Sequence, residues 1–418
     1  MGKESQMMNS TYRWIVVLIG IMIAMVAVVV GAKAQAYDGL LYGKVYTENG
    51  NSYTGIIRWG TEEALWTDLF NASKVTDQFK NMVPEKERTN SSWMDIDWNF
   101  GGIWEDKIIP HQFNCQFGNL RQIERLPANR ARLTFKNGRE MEVSGEGYND
   151  LGSKIYVADA ELGTLGFDWE NIERVEFSAT PSKPEVTFGA PLYGTVEGLR
   201  REKFTGFIAW DNDERLAGDK LDGESDDGKV SIKFSDIASI ENARGGSKVV
   251  LKSGRELQLT GSNDVNDENR GVLVSTSDIG IVKVNWSAFH KIEFSTPPRN
   301  GIAYEHFGEP TLLSGTVSSL NGDDATGRII YDIDEMLDFE IIEGMENDIQ
   351  YHLPVRNIRS IAPRNYDYST VELRSGKSLL LGGMQDVSAK NGGILVFTKG
   401  QKEPVYISWK KITEIRFN

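Results

Sequence analysis

The sequence predicts an all-β protein made of three tandem repeats of about 115–140 residues. Three observations predict it. First, the chain aligns on its tryptophans: WENIERVEF, WSAFHKIEF and WKKITEIRF begin at Trp169, Trp286 and Trp409, 117 and 123 residues apart. Second, the segments between them alternate apolar and polar residues and break at glycines, as in KVVLKSGRELQL, where Ser253-Gly254 marks a hairpin turn. Third, one turn motif recurs six times, as FGNLRQI, WENIERV, FSDIASI, WSAFHKI, VRNIRSI and WKKITEI. In each, apolar residues follow the first at +3 and +6. One turn of 3₁₀ or α helix puts i and i+3 on one face, so each copy reads as a short plug with its apolar side in a core.

The first 36 residues stand apart. Lys3 and Arg13 precede the apolar run Ile15–Gly31, and AKAQA follows. A basic start, an apolar centre and an Ala-x-Ala end read as an export signal cleaved after Ala36. The alternative is an uncleaved anchor over 15–31, short for a membrane span. The expected location is periplasmic or extracellular, with membrane contact only through this segment if it stays.

The repeats are expected at 37–180, 186–296 and 308–418. The proline-bearing ATPSKPEV and STPPRNG separate them. Each opens with LYGKV, LYGTV or LSGTV, at Leu41, Leu192 and Leu313, and continues into TGIIRW, TGFIAW or TGRIIY. An acidic group comes next: Glu62, Glu63 and Asp68; Asp213, Glu214 and Asp219; Asp334, Glu335 and Glu340. Such a group reads as a helix start with acids at its N-terminal dipole. The competing reading is a hard-cation site, with Ca²⁺ as the ion and Asp211, Asp213, Glu214 and Asp219 as ligands. Those four lie in the most acidic loop, DNDERLAGDKLDGESDDG, which lacks the order of an EF-hand. No other cofactor is called for.

Repeat one carries an insertion within 62–111 that the others lack. Its centre, SSWMDIDWNFGGIW, sets Trp93, Trp98, Phe100 and Trp104 beside Asp95 and Asp97. Rings beside carboxylates suit a protein interface or a sugar platform, and the rings also serve to pin a long insertion to its barrel. Farther on, GSNDVNDENRG and GGMQDVSAKNGG match at Asp264/Asp386 and Asn269/Asn391, each Asn suiting a left-handed turn.

Short strands, a helical turn and a final strand resemble the SH3-like small β-barrel, a plan shared by Sm-like and PRC-type barrels. The resemblance implies a pair of small barrels per repeat, each of about 55–60 residues and closed by one plug. One larger β-sandwich per repeat is the other reading.

Charge and chemistry narrow the function. The chain carries a net −14, with Cys115 its only cysteine. Residues 1–36 hold Lys3, Arg13 and Lys33 against Glu4, leaving −16 for the remainder. That charge disfavours nucleic acid and anionic lipid. One cysteine excludes an intrachain disulfide and a thiolate metal cage. His111, His290, His306 and His352 fall at unrelated positions, and no nucleophile elbow or phosphate loop is present. The expectation is an exported, non-enzymatic repeat protein acting as an interaction scaffold for a protein or envelope component. A polysaccharide-binding module, cation-assisted in one version, is the alternative. A carboxylate-based hydrolase is the third reading, and it would need two opposed acids across a cleft.

Overall fold

The computed structural model describes residues 37–75, 79–90, 111–298 and 301–418. Residues 1–36, read above as an export signal, and the aromatic insertion residues Trp93, Asp95, Asp97, Trp98, Phe100 and Trp104 lie outside them. Among the described residues no helix is long and apolar enough to cross a membrane.

The chain is all-β, in two large open antiparallel sheets. Ten strands form the first: β1 (Tyr42–Thr47), β2 (Ser52–Trp59), β3 (Leu69–Lys74), β4 (His111–Gln116), β5 (Leu120–Leu126), β6 (Arg130–Phe135), β7 (Glu140–Ser144), β8 (Ile155–Asp159), β9 (Gly163–Phe167) and β10 (Ile172–Phe177). Their order is β4-β3-β7-β6-β5-β10-β1-β2-β8-β9. A short helix, α1 (Glu85–Asn90), lies between β3 and β4.

The next strands are β11 (Tyr193–Gly198), β12 (Lys203–Trp210), β13 (Lys220–Ser225), β14 (Gly228–Lys233), β15 (Ile237–Ala243), β16 (Gly246–Leu251), β17 (Glu256–Leu259), β18 (Val272–Thr276), β19 (Gly280–Val284) and β20 (Phe289–Phe294). The last ten are β21 (Ser314–Ser319), β22 (Asp324–Ile330), β23 (Ile341–Glu346), β24 (Ile349–Pro354), β25 (Ile358–Pro363), β26 (Tyr368–Leu373), β27 (Ser378–Gly382), β28 (Ile394–Phe397), β29 (Val405–Ile407) and β30 (Ile412–Phe417). Except for the β13–β14 hairpin, these make one 18-stranded sheet. Its pairings trace one path, β17-β16-β15-β20-β11-β12-β18-β19-β24-β23-β27-β26-β25-β30-β21-β22-β28-β29.

This overturns the expected architecture. Tandem repeats of paired SH3-like small barrels require ladders that close on themselves. Here the two end strands of each sheet, β4 with β9 and β17 with β29, do not pair. Nor do the tryptophan-aligned stretches stay separate as tandem units. β19 pairs with β24, from Ile281↔His352 to Val284↔Ile349, and fuses the second stretch to the third.

The similarity of the aligned stretches is expressed locally. Five plug motifs are 3₁₀ turns, beginning at Phe117, Trp169, Phe234, Val355 and Trp409. The sixth, at Trp286, is a hydrogen-bonded turn closed by Ala288 N–H donating to Asn285 O at 2.8 Å. All six leading side chains are buried. Instead of sealing a barrel, each plug carries the chain from one strand to another that is not its neighbour.

The YG and TG motifs also gain a cause. Gly43 pairs with Gly55, Gly194 with Gly206 and Gly315 with Gly327. A Cβ at Gly55 would fall 2.0 Å from Ala158 O, and one at Gly315 2.0 Å from Arg416 O. At these two glycines a carbonyl oxygen of the adjoining strand, β8 or β30, occupies the position a side chain would take, so only glycine fits.

Side chains hold the first sheet against the rest. Leu337 and Phe339 enter its core beside Phe113 and Phe135. Leu40, Ile56 and Leu65 pack on Phe207 and Leu216 of the second stretch. Phe79 and Val83, at the start of the insertion, pack on Ile330, Ile333 and Leu395 of the third.

Candidate interaction surfaces and the acidic loops

The acidic groups after β2, β12 and β22 are loops, not helix starts. In each, the third acid closes its own turn. Asp68 Oδ2 accepts from the amides of Ala64 and Leu65, both at 2.8 Å. Asp219 Oδ2 accepts from Arg215 and Leu216, both at 2.9 Å. Glu340 Oε2 accepts from Met336 and Leu337, both at 2.7 Å.

Each acid also meets a cation from another stretch. Arg58 grips Asp219 with both terminal nitrogens, at 2.7 and 3.2 Å. Arg215 Nε stands 3.0 Å from Asp68 Oδ2, both side chains buried. Lys74 Nζ lies 2.6 Å from Glu340 Oε1 and 3.0 Å from Asp334 Oδ1. Burial pulls the Lys74 pKa down, but the surrounding carboxylates override it and hold the ammonium well above its ordinary range. Burial pushes the Asp68 carboxyl up, and Arg215 offsets only part of that shift. The spacing that reads as a cation-binding pattern is therefore a turn cap plus an interface ion pair.

Of the remaining members of the proposed Ca²⁺ set, Asp211 and Asp213 are likewise engaged, while the buried Glu214 Oε2 has no hydrogen-bond partner. Asp211 takes the Arg270 amide and the Asn263 side-chain amide, and Asp213 pairs with Arg270. Glu214 is pushed up, first by burial and then by Asp213, Asp264 and Asp211. Among the described residues no group of three or more His, Cys, Asp or Glu side chains is placed to hold a metal ion.

Beneath these loops lies a second layer of aspartates. Trp59 Nε1 donates to Asp150 O at 2.8 Å, and Trp210 Nε1 to Asp264 O at 2.9 Å, while the Tyr331 hydroxyl donates to Asp386 O. The carboxylates of Asp150, Asp264 and Asp386 accept from the amides of Asn71, Asp222 and Glu343. Asn269 and Asn391 hold their loops, accepting from the amides of Gly271 and Gly393 at 2.8 and 2.9 Å. The turns are present as the sequence suggests, but the residues with left-handed backbone are Gly271 and Gly393 and not the asparagines, which bond to them from the side. Asp150 was not foreseen in the sequence, because the first stretch shortens the loop and hides the match.

Two concavities stand out. A cavity of about 540 Å³ sits where the three stretches meet, lined by Thr67, Gln116, Phe207, Asp278, His306 and Arg356. A groove of about 670 Å³ runs between the β11–β12 turn and the strands β26 and β27. Leu199, Tyr368 and Leu380 line it and are all exposed. The Tyr368 ring lies against Gly382, where a Cβ would fall 2.5 Å from Cδ1. Glu202 and Glu346 line the same groove. Burial raises the Glu346 pKa, and the charge of Glu202 raises it further, partly offset by Lys377 and Arg200. None of these positions stands out in the sequence, because isolated exposed leucines and tyrosines between strands form no pattern.

Compared with protein-family models, curated proteins and solved structures, the chain matches none.

Proposed function

We propose that this chain is an exported, non-catalytic binding protein that presents the groove between its second and third stretches to a protein partner or envelope component. The observation that carries this reading is the composition of the groove. Leu199, Leu380 and Tyr368 offer apolar surface in one concavity, where a partner side chain can be desolvated. Glu202 and Glu346 crowd each other at its wall, and a basic residue of the partner would relieve that repulsion. The partner expected is thus a segment of mixed apolar and basic character.

Leu199→Glu with Leu380→Glu in the full chain should abolish recovery of a protein partner from envelope extracts. Leu320→Glu, at an equally exposed leucine outside the groove, should leave recovery intact. Recovery unaffected by the groove changes would sink the proposal. One observation favours a glycan as a second reading. The Tyr368 ring is backed by Gly382, remains exposed, and stands in a groove with carboxylates, as a sugar-stacking platform requires. Co-sedimentation with insoluble envelope polysaccharide, lost on Tyr368→Ala, would select it.

A further inference from the structure

We infer that β9 is a self-association edge, through which two copies of this chain pair antiparallel about a two-fold axis at Leu165. The inference is independent of the groove.

The argument starts from the seam inside the chain. At β19 the edge of the second stretch accepts β24 as an antiparallel neighbour. Gly280 permits the approach: with φ +123°, a Cβ there would fall 2.4 Å from His352 O and 2.6 Å from Pro354 Cδ. Ile279, just before it, is 5% exposed. The tryptophan alignment places β9 where β19 is, with Leu162-Gly163 in the position of Ile279-Gly280. Among the described residues β9 has no such second neighbour. Its one ladder is to β8, Leu162 is 63% exposed, and a Cβ at Gly163 would meet nothing within 4 Å.

The other edges among the described residues are guarded. β13 and β17 face each other, joined where the Glu224 amide donates to Thr260 O at 2.8 Å and the Thr260 amide to Glu224 O at 3.0 Å. β14 carries Lys229 and Lys233, the usual deterrent to edge pairing. β29 has three residues and follows Lys402, Glu403 and Pro404. β4 is covered on the side where Asn114 Nδ2 donates to Glu343 Oε1 at 3.0 Å. β9, with sequence GTLGF, has no charge and no proline.

That sequence complements itself. With Leu165 facing Leu165 of the second copy, Thr164 falls opposite Gly166 and Phe167 opposite Gly163. Thr164 and Phe167 then each meet a glycine, the two Leu165 side chains meet each other, and no like charges oppose within the strand. Antiparallel self-pairing about a two-fold is the commonest closed symmetry for a homodimer. A five-residue strand pair buries less than the ~1,200 Å² of a stable interface, so the dimer is weak and concentration-dependent.

Disulfide trapping in the full chain tests this. Leu165→Cys should give a two-chain species on mild oxidation, at least about tenfold above wild type, because facing residues in such a pair approach to roughly 4.5 Å. The native Cys115 is buried with a raised pKa and should stay silent. Adding Thr164→Pro should remove the product. Leu162→Glu, at an exposed turn position opposite Asp168 of the partner, should reduce it even if the proline variant misfolds. Circular dichroism would verify the fold of each variant. A folded Leu165→Cys chain that stays single overturns the inference, as does a yield indifferent to Leu162→Glu. Efficient trapping between Thr164→Cys and Ser231→Cys chains would also overturn it, by showing head-to-tail pairing of β9 with β14.

Discussion

At the residue scale, the acids are consumed in holding turns and seams. Lys74 is the sharpest case, a buried ammonium between Glu340 and Asp334. Removing one partner of a buried pair costs about 3–5 kcal/mol, because the other charge stays uncompensated. Lys74→Met should therefore lower stability in urea by that amount, and Glu340→Gln added to it should cost little more. Equal, additive losses would contradict the ion pair. Ile333 is a second case, a β-branched residue at φ +62°. Asn212, its counterpart in the second stretch, suits that conformation better. Ile333 remains there while packing with Phe79 and Val83, so apolar contact with the insertion offsets the strain.

The buried aspartates also set a pH dependence. Burial raises Asp150 and Asp264 to about 6, and Asp386 moves the same way for the same first cause. A carboxyl whose folded pKa exceeds its unfolded value of about 3.9 adds stability in full below that value and loses it as pH rises through about 6. The thermal midpoint should rise as pH falls from 7.5 to 5.5. Asp264→Asn, which keeps an acceptor for the Asp222 amide, should flatten the profile. A midpoint that falls over this range would refute the assignment.

At the element scale, the glycine pairs decide the path of the sheets. Gly55→Ala places a methyl on Ala158 O and should destabilise the first sheet by about 1–3 kcal/mol or more. Gly308→Ala, with nothing within 4 Å, should stay within about 0.5 kcal/mol. Denaturant midpoints measure both, and equal effects would contradict the close approach. Much at this scale was legible in the sequence. Alternation marked the strands, Lys252-Ser-Gly-Arg255 marked a hairpin, and the +3/+6 spacing marked plugs whose leading residues are indeed buried. Closure was not legible. Whether a ladder returns to its first strand depends on pairs far apart in sequence, such as Val45↔Val175, and on single contacts such as the one Gly280 allows at β24. The acidic spacing was visible but its meaning was not, since Arg58, Arg215 and Lys74 reach those acids from other stretches.

At the scale of the whole molecule, two kinds of joint coexist. The second and third stretches share backbone hydrogen bonds through β19 and β24. The first is held by apolar contacts and by ion pairs as distant in sequence as Lys74 with Asp334 and Glu340. Such non-local contacts form late in folding, so Lys74→Met should speed unfolding and leave the refolding rate nearly unchanged. Stopped-flow measurements in urea separate the two, and a slowed refolding arm would place Lys74 in the nucleus instead.

The long reach of Lys74 has a further consequence for a chain made from its N-terminus. The first sheet has all its strands once residue 177 has been synthesised, yet Leu337, Phe339 and Glu340 arrive much later. Until then the apolar surface around Phe113 and Phe135 faces water, next to an ammonium that still holds its hydration shell. The nascent protein thus passes through an interval in which its earliest part is formed but uncovered, and the arrival of the segment around residues 334–340 ends that interval.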